Sequence, residues 1–474
     1  MGGAQKVAMK TLVANGTVVT TSEVLQADIL IADDRIIAIG PGLDRAGAQK
    51  IIDATGCYVM AGGIDVHTHC NLTVGDQTVS DGFFHGSVAA AHGGTTCFIE
   101  HPGFGPAGCG LHHQLDLYRH QADPEVVIDY GLHAVAQHVD DRILADIAEL
   151  PRRGIASLKV YLTYSGRLED EAIIEVLKAA QRAGVLVTFH AENHAIVSSR
   201  TRELRGLAKR ADSTVFPQSR PDYAEAEAIN RLIALARAAG EVPIYIVHLS
   251  TAAGLEIVRK AKQQGREIYA ETCPQYLLLT DERYQHPDNG GLQYIMAPPL
   301  RKQDDCEALW QGLADNTIDV VATDHCSFSL AQKLTRGKNN VFAAPGGIPG
   351  IETRVPLLFS EGVLKNRIDL QTFTRLIAAN PAGIMGLAPK KGAIAVGADA
   401  DLMLLDPALK KEASADSLHQ QVDYTPFAGM MIQGWPRVVM QRGRVIMENE
   451  QLKAARGAGS FVERNIDQNS RALP

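Results

Sequence analysis

Two histidines separated by one residue, His67 and His69, lie in the stretch GGIDVHTH, whose apolar pattern predicts a β-strand. Because side chains alternate between the two faces of a strand, both imidazoles point to one side and Thr68 points to the other. Two imidazoles on one side can bind the same metal ion. The pair alone is weak evidence, so its position relative to other polar residues decides the interpretation.

Three further candidate ligands end short apolar runs that also read as strands. His190 lies in VTFHAEN, His248 in IYIVHLS and Asp324 in VVATDH. The carboxyl ends of parallel barrel strands open onto one mouth, where barrel enzymes have their active sites. Each residue taken singly is more often an ordinary polar group at a strand end. Four strands that each contribute a histidine or an aspartate at the same depth predict a metal site.

The five candidate ligands are more than one divalent ion needs, and they come from opposite sides of the predicted barrel. We therefore expect two ions. Two dications about 3.5–4 Å apart repel each other, and a bridging anion lowers that cost. The fourth predicted strand, IASLKVYLTY, has no acidic residue at its end, but Lys159 lies at its centre.

Lys159 has two interpretations. An unpaired ammonium is costly to bury, and its amine is more easily neutralised in such a place. A neutral lysine amine can react with carbon dioxide to form a carbamate, which is anionic, bidentate and long enough to bridge two metals. The alternative is that Lys159 forms a buried ion pair with Asp324 or with a glutamate.

Composition excludes several other classes of protein. The 474 residues are 46% hydrophobic and carry a formal charge of -8, so no binding to nucleic acid or to an anionic membrane is expected. No stretch has the apolar length of a signal peptide or a membrane span, which favours a soluble cytoplasmic protein. Seven cysteines without CxxC spacing predict neither a disulfide framework nor a zinc ribbon.

The elements that must position the candidate ligands follow a βα rhythm. Helical periodicity separates eight predicted strands, which are GGIDVHTH, GTTCFIEH, VVIDYGLHAVAQH, ASLKVYLTY, VLVTFHAEN, PIYIVHLS, EIYAETCP and DVVATDH. Eight such units are what a closed (β/α)8 barrel requires, so an α/β fold of this kind is predicted for residues 59–390.

The flanking segments differ from the barrel, because short strands and turn residues dominate them. Residues 1–58 and 391–455 are predicted to form one small β-sandwich domain built from both ends of the chain. Residues 456–474 lack periodicity and are predicted to be a C-terminal arm or tail.

The local sequence around these residues resembles that of the dihydropyrimidinase and D-hydantoinase family of the amidohydrolase superfamily. The motifs GGIDVHTH, GGTTCFIEH, KVYLTY, FHAEN, YIVHLS, ETCPQYLLL, APPLR, DVVATDHCSF and GGIPGIETR carry the resemblance, which covers roughly residues 10–450. The variants HPGFGPAG, CPQYLLL and ATDHCSFS are most similar to the bacterial D-phenylhydantoinases of that family.

The resemblance implies a ligand set. One ion would be held by His67, His69, Lys159 and Asp324, and the other by Lys159, His190 and His248. Two zinc ions are usual in the family, although nitrogen and oxygen ligands would also accept manganese or cobalt. A carboxylated Lys159 (N6-carboxylysine) and a hydroxide would bridge them.

The resemblance also implies catalytic roles. Asp324 would accept the proton of the attacking hydroxide and deliver it to the departing ring nitrogen. Tyr164, five residues after Lys159, matches the tyrosine that hydrogen-bonds the developing oxyanion. The tyrosine could instead be half-buried packing at a strand end.

Three positions implied to bind substrate depart from the family pattern. Ala297 stands where serine is common in the family, and Gly346 stands where asparagine is common. In the family, both positions bind the ureide ring of the substrate largely through main-chain groups. Cys70 stands where a bulky hydrophobe is common, which would leave room for a larger or aromatic substituent. Asn71 replaces the arginine that dihydroorotases use for a substrate carboxylate, so a carboxylated substrate is disfavoured.

The implied activity is hydrolysis of the cyclic amide bond of 5-monosubstituted hydantoins, aryl-substituted and D-selective, or of dihydropyrimidines, to N-carbamoyl amino acids. A homotetramer is implied as well. The alternatives are an allantoinase-like amidohydrolase, a non-catalytic scaffold related to dihydropyrimidinases, and a mononuclear deaminase that would use Glu192. The complete ligand set argues against the scaffold. His325 and Cys326 follow Asp324 and could shape the pocket, whereas His92, His101, His112 and His113 are not expected to be ligands.

Overall fold

A computed structural model describes residues 9–207, 212–287 and 289–465. The strands of these ranges are β1 (Lys10–Val19), β2 (Val24–Ala32), β3 (Arg35–Gly40), β4 (Lys50–Asp53), β5 (Tyr58–Ala61), β6 (Gly63–Thr68), β7 (Thr73–Val74), β8 (Gln77–Thr78), β9 (Thr95–Glu100), β10 (Asp129–Leu132), β11 (Ala134–Val135), β12 (Ser157–Tyr161), β13 (Leu186–His190), β14 (Ile244–Ile246), β15 (Ile268–Thr272), β16 (Val320–Val321), β17 (Leu402–Glu412), β18 (Met431–Gln441), β19 (Arg444–Glu448) and β20 (Gln451–Leu452).

The α-helices are α1 (Gly82–His92), α2 (Leu111–Ala122), α3 (Asp141–Glu149), α4 (Asp170–Ala183), α5 (His194–Leu207), α6 (Phe216–Ser219), α7 (Asp222–Ala238), α8 (Ala252–Gln263), α9 (Pro274–Leu278), α10 (Gln303–Ala314), α11 (Leu330–Gly337), α12 (Arg354–Leu358), α13 (Leu370–Thr374) and α14 (Asn380–Ile384). Local sequence signals set several of these bounds. Asp140 caps α3 by accepting a hydrogen bond from the Ile143 N–H at 2.9 Å. Gly184 ends α4 in the left-handed region, with a φ of 72°. No helix in the described ranges is both long and apolar enough to cross a membrane.

All eight strands predicted for the barrel are present, in two parallel sheets. One sheet has the order β10-β9-β6 and the other the order β11-β12-β13-β14-β15-β16. The third predicted strand is interrupted at His133, so that β10 pairs with β9 whereas β11 pairs with β12. At the other end, the Asp324 N–H donates to the His67 carbonyl at 2.9 Å, and the His69 N–H donates to the His325 carbonyl at 2.8 Å. These hydrogen bonds link β6 to the segment after β16, and the predicted α/β fold with parallel barrel strands is confirmed. Full closure of the barrel stays a prediction.

Both ends of the chain form one strand-rich sheet. Its order is β20-β19-β18-β17-β5-β1-β2-β3, and β4 pairs with β1 beside this path. β1 pairs in parallel with β4 over its first half and with β5 over its second half, so the sheet branches there. β17 joins the two chain ends by pairing antiparallel with β5. The domain boundaries at 58, 390 and 455 stay predictions.

The beginning of the predicted C-terminal arm lies along the barrel. The Tyr130 N–H donates to the Ser460 carbonyl at 3.0 Å, and the Val462 N–H donates to the Tyr130 carbonyl at 2.8 Å. Arg464 is buried, and its guanidinium donates to the Met385 carbonyl at 3.2 Å. The arm is thus attached to β10 as far as residue 465, and residues 466–474 lie outside the described ranges.

A buried lysine with three aspartates connects the barrel to the strand-rich sheet. The Lys391 Nζ lies 2.8 Å from Asp129, 3.1 Å from Asp399 and 2.6 Å from Asp401. Burial alone would lower the pKa of Lys391, but the carboxylates of Asp401 and Asp129 outweigh it and raise that pKa. Asp129 begins β10, whereas Asp399 and Asp401 directly precede β17. One ammonium therefore holds together segments far apart in the chain.

We expect Lys391→Met to destabilise the protein strongly, because it removes the ammonium that three buried carboxylates share and leaves Asp129 and Asp399 with one arginine each. A loss of about 3–5 kcal/mol in the free energy of unfolding is typical when one partner of a buried ion pair is removed. Urea unfolding followed by circular dichroism measures this loss. The neighbouring Lys390 is exposed, so Lys390→Met is the matched control. Equal unfolding midpoints for the two variants would contradict the role assigned to Lys391.

Candidate metal centre and active site

Two histidines and an aspartate at the barrel mouth form a compact group of metal donors. The Nε2 atoms of His67 and His69 each lie 3.2 Å from the same Asp324 Oδ1. The donor atoms of the three residues all lie within 4.8 Å of one another. His67 and His69 come from the end of β6 and Asp324 from the segment after β16, which hydrogen-bonds to β6. The group fits one divalent metal ion.

Each of these imidazoles is oriented by a second partner at its other nitrogen. The His67 Nδ1 contacts the Glu271 Oε1, and the His69 Nδ1 lies 3.2 Å from the His101 carbonyl oxygen. Such contacts leave both Nε2 atoms facing Asp324 and fix the tautomer of each ring. The donor atoms are therefore held in place without an ion.

Glu271, on β15, was not identified from the sequence. It is fully buried and also accepts hydrogen bonds from the Tyr245 hydroxyl at 2.7 Å and from the His248 N–H at 3.1 Å. Burial raises the pKa of Glu271 to about 8, and a nearby cation would favour its carboxylate form. Glu271 lies within the predicted strand EIYAETCP. Like Lys159, it is a charged residue in a strand predicted to be buried, and it could have been noticed for that reason.

A second pair of imidazoles adjoins the first group. The His190 Nδ1 lies 2.9 Å from the His248 Nε2, and the opposite nitrogen of His190 lies 2.7 Å from the Glu192 Oε2. The ring centroid of His248 is 5.4 Å from that of His67, so the two groups share one chamber. Two nitrogens that converge in this way can bind one ion together.

Lys159 points to the same chamber. Its neighbours Leu158 and Val160 belong to the large apolar cluster, so the alternation of β12 directs Lys159 to the opposite face. Its Nζ is 5.2 Å from the Tyr161 ring centroid, and it has no hydrogen-bond partner among the described residues. Burial lowers the pKa of Lys159 to about 8, although Glu271 and Asp324 favour the charged form.

The ion pair considered for Lys159 is not observed, because no carboxylate of the described ranges lies within 4.0 Å of its Nζ. A buried nitrogen without a partner costs free energy unless a ligand satisfies it. The donor set and this free amine together fit a pair of divalent ions with an anionic bridge between them.

Three of the candidate residues have strained backbones. Tyr164, His248 and Asp324 have φ values of 71°, 39° and 53°, in the left-handed region that non-glycine residues rarely occupy. Such strain of about 1–3 kcal/mol per residue is characteristic of active sites, since the surrounding fold must impose it. The Tyr164 ring centroid is 5.1 Å from that of His190, which brings this tyrosine to the chamber. Burial raises the pKa of Tyr164, so its phenol keeps the proton that it can donate.

The remaining sequence-predicted residues fall into two groups. Ala297 and Gly346 are brought together, since a Cβ on Gly346 would lie 3.8 Å from the Met296 Cα and the Gly347 N–H donates to the Ile295 carbonyl at 3.0 Å. Cys70 is fully buried and lies beside Gly86 of α1. Its predicted part in substrate binding stays a prediction.

The two residues after Asp324 are also buried. The His325 Nε2 lies 2.8 Å from Asp81, and its Nδ1 accepts a hydrogen bond from the Gly350 N–H at 3.1 Å. Cys326 packs with Val79 and Phe328. Both residues therefore shape the wall next to Asp324.

His101 occupies the space behind the first group. Its ring centroid is 4.3 Å from that of His67 and 3.9 Å from that of His133, with which it stacks. His92 stacks on His419, His112 is partly exposed and His113 is exposed. None of these four belongs to the compact donor group found in the described ranges.

The sequence and the fold match known proteins along most of the chain. The model of the amidohydrolase family matches residues 58–446. The D-phenylhydantoinase of Escherichia coli O9:H4 (strain HS) is 42% identical over 456 residues, which are 96% of this chain and 98% of that protein.

Solved structures agree with this assignment. The dihydropyrimidinase from Brevibacillus agri NCHU1002 superposes with a TM-score of 0.94 at 37% identity, over 98% of this chain and 100% of that chain. The D-hydantoinase from Bacillus sp. AR9 gives a TM-score of 0.93 at 36% identity, over 96% and 99% of the two chains. The resemblance noted in the sequence is confirmed, and the chain belongs to the amidohydrolase family, in the group of the D-hydantoinases and dihydropyrimidinases.

Proposed function

We propose that this protein is a binuclear metal-dependent cyclic amidase that opens 5-monosubstituted hydantoins or dihydropyrimidines to N-carbamoyl amino acids. We further propose a preference for aryl-substituted hydantoins of the D configuration. The observation that carries the proposal is the convergence of five histidine and aspartate donors and one partnerless lysine amine in one chamber of the described structure. The names of the similar proteins, D-phenylhydantoinase and dihydropyrimidinase, support the choice of substrates.

The proposed ligands divide into two sets that share Lys159. His67, His69 and Asp324 would hold one ion, and His190 and His248 would hold the other, with a carboxylated Lys159 between them. Zinc suits these nitrogen and oxygen donors, and manganese or cobalt would also bind. When bound, such an ion pair supplies Lewis-acid polarisation of a carbonyl and lowers the pKa of a water molecule.

The proposed roles of the side chains follow from their positions. Asp324 accepts the proton of the attacking water and delivers it to the ring nitrogen as the C–N bond breaks, so the ring opens to a carboxylate and a ureido group. The Tyr164 phenol donates a hydrogen bond to the carbonyl oxygen as negative charge develops there. Main-chain groups at Ala297 and Gly346 hold the ureide ring, since neither side chain offers a polar group.

The deaminase alternative would require Glu192 to act as a proton carrier. Burial alone would raise the pKa of Glu192, yet Arg220 and the contact with His190 outweigh it and lower that pKa to about 2. The Glu192 Oε2 is already paired with the Arg220 guanidinium and with the His190 Nε2, which argues against this role. An allantoinase-like activity differs only in the ring that is bound, so allantoin belongs in the assay beside 5-phenylhydantoin and dihydrouracil.

The homotetramer and the cytoplasmic location stay predictions from the sequence. Analytical ultracentrifugation of the metal-loaded protein would test the assembly, because a tetramer of 51.0 kDa chains is well separated from a dimer.

We expect Lys159→Ala to lose at least one of two metals per chain and to open no ring, because the bridge between the two ion sites is removed. Elemental analysis of the purified protein measures the metals, and chromatographic detection of N-carbamoyl-phenylglycine measures the activity. An active variant with an unchanged metal content would contradict the role of Lys159.

The carbamate itself is tested by carbon-13 NMR after exchange with labelled bicarbonate. We expect one carbamate signal per wild-type chain, which Lys159→Ala abolishes and Lys333→Met retains. Lys333 is the matched control, because it is also fully buried but lies on α11 and donates to the Ile295 carbonyl at 2.7 Å. A signal that persists in Lys159→Ala and disappears in Lys333→Met would contradict the carbamate proposed for Lys159.

We expect Tyr164→Phe to lower kcat by roughly 10²–10³-fold with a smaller change in KM, since the lost hydrogen bond forms in the transition state. Steady-state kinetics on 5-phenylhydantoin measure both parameters, and two metals per chain should remain. Tyr223→Phe is the control, since Tyr223 is exposed on α7. A rise in KM with an unchanged kcat would mean that Tyr164 only binds the substrate.

A further inference from the structure

Arg220 lies between two parts of the proposed active site that are separate in the chain. It directly follows α6, and its guanidinium carbon is 5.4 Å from the Tyr164 ring centroid and 5.9 Å from the Phe216 ring centroid. The Arg220 Nη1 contacts the Glu192 Oε2. The side chain is only 12% exposed. A guanidinium in this position touches both the tyrosine and the partner of a proposed metal ligand.

The contact with Glu192 connects Arg220 to His190. The Glu192 Oε2 contacts the guanidinium and also lies 2.7 Å from the His190 Nε2. Glu192 is fully buried, so its position is set by these two contacts. Because Glu192 faces the Nε2 of His190, the Nδ1 of the same ring is left to face His248.

The backbone of Arg220 is anchored as well. The Arg301 guanidinium donates to the Arg220 carbonyl at 2.5 Å and to the Ser250 Oγ at 3.0 Å. The Ser250 hydroxyl in turn donates to Glu225 at 2.9 Å. Ser250 follows His248 by two residues, and Arg301 follows Ala297 by four. The position of Arg220 is therefore fixed relative to the segments that carry the proposed ligand and substrate contacts.

The chemistry of an arginine suits this place better than that of a lysine. A planar guanidinium can stack on an aromatic face while its edge pairs with a carboxylate, whereas a compact ammonium can do only one of these well. Tyr164 has a strained backbone, with a φ of 71°, which the surrounding fold must impose, and the Arg220 guanidinium lies over its ring. Burying two charges here is costly, which indicates a role other than stability alone.

We propose that Arg220 is a positioning residue that holds Tyr164 in the geometry for stabilising the oxyanion. The inference rests on the proposed function, because it assigns Arg220 a part in the same ring-opening reaction. Arg220 acts through Tyr164 and does not touch the reacting atoms. Arg220 also pairs with Glu192, which contacts His190. This pairing fixes the position of the Tyr164 ring relative to His190 and to the proposed second ion site.

A double-mutant cycle tests this coupling. It compares Arg220→Met, Tyr164→Phe and the double variant with wild-type protein, using kcat and KM for 5-phenylhydantoin and the metal content of each. We expect Arg220→Met to lower kcat by on the order of tenfold with little change in KM, and to lower it by no more than about twofold when Tyr164→Phe is already present. Two metals per chain should remain in every variant.

Two further variants complete the test. Arg220→Lys should recover only part of the kcat that Arg220→Met loses. A lysine restores the positive charge but not the planar guanidinium that stacks on Tyr164 while it pairs with Glu192. Arg231→Met is the matched control, since Arg231 of α7 also pairs with carboxylates, Asp170 and Glu227, but contacts none of the proposed site residues. We expect Arg231→Met to keep the kcat of wild-type protein.

The outcomes separate this inference from the proposed function. Equal losses from Arg220→Met in wild-type protein and in the Tyr164→Phe variant would overturn the inference, because the two residues would then act independently. Loss of metal from Arg220→Met and Arg220→Lys alike would also overturn it and make Arg220 a structural support of the metal site. Wild-type protein that binds two metals but opens none of the rings would refute the proposed function and this inference with it.

Discussion

The burial of one amine in the barrel chamber is the constraint on which the arrangement of the site depends. Lys159 is 1% exposed and has no hydrogen-bond partner in the described ranges, and burial lowers its pKa to about 8. Glu271 and Asp324 lie near enough to favour the ammonium, but neither of them pairs with it directly, so its burial is not compensated. The carbamate and the two ions proposed above would resolve this conflict. Lys391 shows the opposite solution, because three aspartates surround it and raise its pKa.

The donor atoms are held in place by contacts behind them. Glu271 contacts His67, Glu192 contacts His190, and the His101 carbonyl lies beside His69. Each contact removes the rotational freedom of a ring that would otherwise have to be ordered when an ion binds. Buried carboxylates thus orient the histidines of the proposed metal site. Arg220 contacts both Glu192 and Tyr164, and so connects the tyrosine to this set of orienting contacts.

The barrel and the strand-rich sheet depend on each other for their buried charges. Lys391 joins Asp129 at the start of β10 to the aspartates that precede β17, and Arg464 of the C-terminal arm donates to barrel carbonyls. The contacts of Lys391 involve none of the candidate metal donors. A variant that disturbs them is expected to change the stability of the protein before it changes the geometry of the metal donors.

The sequence by itself determined the eight barrel strands and the candidate ligands at their ends, because the period of two in a strand and the meeting of parallel strand ends are local rules. It also identified Lys159, since a lysine within an apolar strand is unusual and can be recognised without the structure. Only the tertiary structure decided that Glu271 and Arg220 belong beside the site, that the third strand divides at His133, and that Cys70 is buried under α1. The physical reason is that each of these contacts joins residues far apart in the chain, where packing and not local pattern selects the partner.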